Sequence, residues 1–112
     1  MTNYQVIKTA EDLRGAIDKI SGQPVVGLDT ETTDLDPFTA RLRLIQLATP
    51  DIVYIVDLDA FRETDVAKGE ALAPLRQLLA APRPIKIAHN AKFDAKFIKY
   101  NQIGRASCRE RV

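Results

Sequence analysis

The chain has 112 residues, a formal charge of +1, 46% hydrophobic and 28% charged residues, and a single cysteine. That composition suits one soluble globular domain and excludes a disordered, fibrous or disulfide-built chain. Charges interrupt every apolar run before bilayer length, no basic-then-apolar leader opens the sequence, and the near-neutral balance neither requires nor forbids a nucleic-acid partner.

Residues 4–8, YQVIK, read as a short edge strand. Thr9 then stands as a helix N-cap with Asp12 three residues on, and Leu13, Ile17 and Ile20 follow at helical spacing. A helix over 10–20 is predicted, ended by Gly22 and Pro24. Val25 to Glu31 reads as a strand, and RLRLIQLATPDIVYIVDL, residues 41–58, as two more turned at Thr49-Pro50-Asp51. Short connections between these strands predict an antiparallel meander. A polar stretch from Asp59 to Glu70 leads to a helix over 71–81, with Pro74 in its first turn, where proline is tolerated. Ile85 to His89 gives a further strand, and Asn90 caps a helix reaching Tyr100. Passage from strand through helix to strand predicts parallel partners. The order βββαβα describes an α/β mixed sheet flanked by helices.

Residues 103–112, IGRASCRERV, do not continue this pattern. They carry three arginines, the only cysteine and no core period. The string resembles what a widely used short-read sequencing adapter encodes in one reading frame. Residues 1–102 are therefore expected to be the N-terminal part of one domain, and 103–112 an adapter-derived tail. A genuine solvated basic tail is the alternative. Without the tail, three arginines and one glutamate leave and the charge becomes −1. Cys108 can form no internal disulfide in either case, which fits a reducing, cytoplasmic setting.

The chemistry concentrates in VVGLDTETTDLDP, residues 25–37, where Asp29, Glu31, Asp34 and Asp36 follow an apolar run. Side chains two apart on a strand share a face, so Asp29 and Glu31 point one way while Val26, Leu28 and Thr30 point the other. Crowding two carboxylates at the end of a core strand costs free energy through repulsion and desolvation, which a proton or a cation relieves. All-oxygen donors suit magnesium or manganese rather than zinc. Taken alone the motif also fits a solvated acidic turn, and it lacks the glycine and terminal glutamate of an EF-hand loop. A second signal lies in HNAKFDAKFIKYN, residues 89–101. There Asp94 shares a helical stripe with Phe97, Ile98 and Asn101, while Lys92, Lys96 and Lys99 gather on the other face as a solvated surface. His89 has no second histidine or cysteine to join it and reads as structural.

Together, VVGLDTETTDLDP, RLRLIQLAT, VYIVDL and KIAHNAKFDAKFI resemble the DEDD superfamily of 3′–5′ exonucleases, which includes the DNA polymerase I proofreading domain and the ribonuclease D branch. The resemblance implies a ribonuclease H-like fold, here incomplete at its C-terminus. It implies that Asp29, Glu31 and Asp94 bind two divalent cations, Mg2+ or Mn2+, and carry catalysis. Thr32 and Asn90 would hold the terminal nucleotide, and Leu35 either forms an apolar wedge or simply packs. The implied activity is release of nucleoside 5′-monophosphates from single-stranded 3′ ends of DNA or RNA, with no membrane partner. A polymerase or RNA-binding domain is a possible continuation. The family's third motif, YxxxD or HxxxxD, does not follow Asp94, so weak metal binding and little turnover are expected of these residues alone. A non-catalytic, exonuclease-like binding module is the alternative, and the presence of all three acids speaks against it.

Overall fold

A twelve-residue amphipathic helix and a mixed sheet make up most of the computed structural model, which describes residues 3–32, 42–63, 71–88 and 108–110. Strand β1, Asn3–Ile7, leads into helix α1, Ala10–Ser21. The helix begins where the Thr9 hydroxyl accepts the Asp12 amide at 3.2 Å, which satisfies one of the amides a helix start leaves unpaired. Glu11 and Asp12 near its start and Lys19 near its end complement the helix dipole. Leu13, Ala16, Ile17 and Ile20 recur at one face and are buried. The helix stops at Gly22, whose amide donates to the Ile20 carbonyl.

Strands β2 (Val25–Thr32), β3 (Leu42–Ala48) and β4 (Ile52–Asp57) form the expected antiparallel meander. Between β3 and β4 the Thr49 hydroxyl accepts the amides of Asp51 and Ile52 and donates to the Ile52 carbonyl, so one side chain organises the turn. Strand β5, Ile85–Ala88, pairs parallel with β2, and β1 pairs parallel with β4. With β6, Cys108–Glu110, parallel to β5, the sheet order is β1-β4-β3-β2-β5-β6. Main-chain pairing along an open edge is available to any sequence, so the position of β6 does not bear on the origin of residues 103–112.

Among the described residues, two helices lie between β4 and β5. Helix α3, Ala73–Ala80, carries Pro74 in its first turn and buries Leu75, Leu78 and Leu79. Helix α2, Leu58–Glu63, departs from the polar connection expected there. It starts where the Asp57 carboxylate accepts the Asp59 amide at 3.1 Å, and it buries Leu58 and Phe61, one turn apart. Two apolar residues anchor a helix this short, too few to show as a period among charges. His89 and the helix expected from Asn90 to Tyr100 lie outside the described residues.

The buried stripes of α1 and α3 share one core with Ile7, Val26, Leu28, Ile45, Leu47, Tyr54, Val56 and Ala88 of the sheet. Lys86 is the exception in this apolar layer. It is 1% exposed, and its ammonium donates to the Ala81 carbonyl at the end of α3, where a cation is favoured. Its aliphatic stem fills core space while its head closes a helix terminus. On the other face of the sheet, Gly27, Gln46, Ala48, Val53, Ile55, Ile85 and Ile87 are only half-buried.

Removing the cap by Thr9→Ala should lower stability by about 1 kcal/mol, and Leu47→Ala should cost about 2–5 kcal/mol by opening a core cavity. Urea unfolding followed by circular dichroism checks both. A Thr9→Ala midpoint equal to wild type would contradict the capping role.

Candidate functional site

Strand β2 has two different faces. Val26 and Leu28 are 0% and 4% exposed against the helices, while Asp29 and Glu31 on the opposite face are exposed. The alternation expected from the sequence is therefore present, but the desolvation cost expected with it is not. The strand leaves the core before the acids begin, and what remains is repulsion between two carboxylates through water. Asp29 Oδ1 accepts the Thr30 amide at 2.9 Å, which holds one carboxylate oxygen against its own strand.

The pairing of β2 with β3 sets the neighbours of these acids. Asp29 stands opposite Gln46, and Glu31 stands opposite Leu44, which in turn stands opposite Asp57 of β4. Past Glu31 the ladder shifts by one residue, and half-buried Thr32 pairs with Leu42. That irregularity ends the flat part of the ladder beside the acids, as bulges commonly do near functional sites. Asp57 shares the acids' face two strands away, but its carboxylate caps α2 and belongs to the fold.

Below Asp29 lies a cleft of about 500 Å³ lined by Val25, Gly27, Ala48, Val53 and Ile87, with Asp29 and Gln46 as its polar side chains. Two small residues, Gly27 and Ala48, meet in it and leave the space open. A Cβ on Gly27 would stand 3.4 Å from the Ala48 Cβ on the neighbouring strand. Gln46 is the residue that sequence reasoning passed over. Alternation along β3 puts it on a face with Leu44 and Ala48, but only the register shows that this is the face of Asp29.

The structure thus brings Asp29 and Glu31 together, with Thr32 at the end of the same strand. Leu35, Asn90 and Asp94 lie outside the described residues. Among the described residues, no three histidine, cysteine or acidic side chains converge on one point. Two exposed carboxylates on one face fit a hard divalent cation that keeps part of its water shell, since both side chains are open to solvent and the Thr30 amide engages one Asp29 oxygen. Among the described residues, no helix is long and apolar enough to cross a membrane.

Comparison with known proteins extends this picture. Residues 4–108 match a family described as 3′-5′ exonuclease. The chain is 36% identical over 95 residues to a ribonuclease D of Gluconacetobacter diazotrophicus, covering 85% of this chain and 22% of that protein. It is 33% identical over 94 residues to a DNA polymerase I of Chloroflexus aurantiacus, covering 83% of this chain and 10% of that protein. The chain therefore spans about a fifth and a tenth of these relatives. In fold it is similar to the EXD2 exonuclease domain, whose crystal was soaked in Mg and dGMP, with a TM-score of 0.74 at 20% identity over 97% of this chain and 56% of that one.

If Asp29 serves a ligand and not the fold, Asp29→Asn should leave metal-free stability within about 0.5 kcal/mol of wild type. Asparagine keeps the oxygen that meets the Thr30 amide and removes one of two neighbouring charges. Urea unfolding in the presence of EDTA tests this, and a loss above about 1 kcal/mol would assign the carboxylate to the fold instead.

Proposed function

We propose that this chain, which belongs to the DEDD superfamily of 3′–5′ exonucleases, supplies the first two acidic motifs of a metal-dependent exonuclease acting on single-stranded 3′ ends. The observation that carries the reading is the placement of Asp29 and Glu31 on the exposed face of a strand whose other face is core. A rigid strand holds the two carboxylates at fixed spacing, so a bound cation meets ligands already in place.

Asp29 and Glu31, with Asp94 from the segment after β5, would hold two divalent cations, Mg2+ or Mn2+. When bound, these supply the positive charge that lowers the pKa of water and stabilises a leaving 3′ oxygen. Thr32 and Asn90 would hold the terminal nucleotide by hydrogen bonds, and Leu35 would pack against its base. The product is a nucleoside 5′-monophosphate, formed without a covalent enzyme intermediate. The magnesium and dGMP soaked into the EXD2 domain support this choice of cation and product class.

Similarity to a ribonuclease D and to a DNA polymerase I is nearly equal, so DNA and RNA both stand as substrates. We further propose that native sequence ends at Gln102 and that the catalytic domain continues in a longer parent, which supplies the third motif. Reading the source DNA through the codon for Gln102 tests that boundary directly.

The activity is tested in the protein carrying the whole domain, with 5′-labelled single-stranded DNA and RNA in Mg2+. The expected result is stepwise shortening from the 3′ end that EDTA abolishes and that Asp29→Ala slows by roughly a hundredfold or more. Unchanged cleavage by Asp29→Ala would contradict the assignment. Tight binding of 3′ ends without any cleavage would favour a non-catalytic module.

A further inference from the structure

Among the described residues, Gln46 is the one polar side chain that shares the cleft with Asp29, and it faces Asp29 directly across the β2–β3 ladder. Residues opposite one another on antiparallel strands present their side chains to the same face, with Cβ atoms about 4.5–5.5 Å apart. A glutamine side chain spans that gap easily. Gln46 is half-buried between Asp29 and Ile55 of the neighbouring strands, and its side chain makes no hydrogen bond among the described residues. Among the described residues no buried side-chain polar atom lacks a partner, so the Gln46 amide is open to water and can turn toward a new acceptor. Its nearest polar neighbour by register is the Asp29 carboxylate. One oxygen of that group already accepts the Thr30 amide, which leaves the other to be oriented.

We propose that Gln46 is a positioning residue for Asp29. Its side-chain N–H donates to the Asp29 carboxylate when a divalent cation is held there and fixes which oxygen faces the ion. A hydrogen bond to an ionised acceptor is stronger than one between neutral groups, and it also removes the carboxylate's freedom to rotate. Partners that orient a metal ligand typically change metal affinity by about 10–100-fold. The inference rests on the exonuclease reading in one respect, the presence of a cation at Asp29 and Glu31.

Binding of Mn2+ to the 112-residue chain, measured by electron paramagnetic resonance up to millimolar metal, separates the two ideas. Wild type, Gln46→Met and Asp29→Asn are compared, with the Gln46 side-chain amide followed by NMR as Mg2+ is added to wild type. Methionine keeps the length and volume of glutamine and removes the donor. The expected result is about tenfold weaker Mn2+ binding in Gln46→Met, none in Asp29→Asn, and a shift of the wild-type Gln46 amide on adding Mg2+. Wild-type affinity in Gln46→Met, or an amide that ignores Mg2+ while Asp29→Asn loses binding, overturns the role of Gln46 alone. Absence of Mn2+ binding in wild type overturns the cation reading and this proposal with it. Should Gln46→Met fail to fold, the amide shift in wild type still decides.

Discussion

Everything at the site depends on the register of β2. Eight residues do two jobs because successive side chains leave a strand on opposite faces. Val26 and Leu28 fasten the strand to the helices, and that attachment obliges Asp29 and Glu31 to face away from them. A slip of one residue would carry the acids into the core and the apolar pair into water. The hydrophobic effect thereby fixes the geometry of two charges that contribute nothing to the core themselves.

The strands on either side of β2 extend this constraint. On one side the antiparallel ladder with β3 places Gln46 opposite Asp29 and Ala48 opposite Gly27. On the other, β5 runs parallel to β2 with Val26 beside Lys86 and Leu28 beside Ala88. The two strands run parallel, with Ala88 at the end of β5 beside Leu28 while β2 continues to Thr32, so both strands end toward the same end of the sheet. In mixed and parallel sheets that end is where ligands usually bind. Lys86 ties β5 to α3 through the Ala81 carbonyl, and the level at which β5 ends is therefore set partly by a buried lysine.

Local signals were legible in the sequence. Thr9 announced the start of α1, the spacing of Leu13, Ile17 and Ile20 gave its buried face, and Thr49-Pro50-Asp51 marked the turn between β3 and β4. Alternation in β2 gave the shared face of Asp29 and Glu31. What remained hidden was relational. The pairing of Gln46 with Asp29 is a property of two strands together, and neither strand states it alone. The exposure of the carboxylates depends on where the core ends, which an apolar run does not reveal. Helix α2 escaped notice because Leu58 and Phe61 sit among charges and its start is set by a side chain, Asp57, that belongs to the preceding strand.

Whether a divalent cation binds at the Asp29–Glu31 face can be read directly. Paramagnetic broadening of the amide spectrum by substoichiometric Mn2+ locates the ion without any need for turnover. Resonances of Asp29 to Thr32 and of Gln46 should broaden first, with the α1 stripe spared. Broadening centred on Asp57 and Asp59, or spread evenly over the exposed acids, would contradict it.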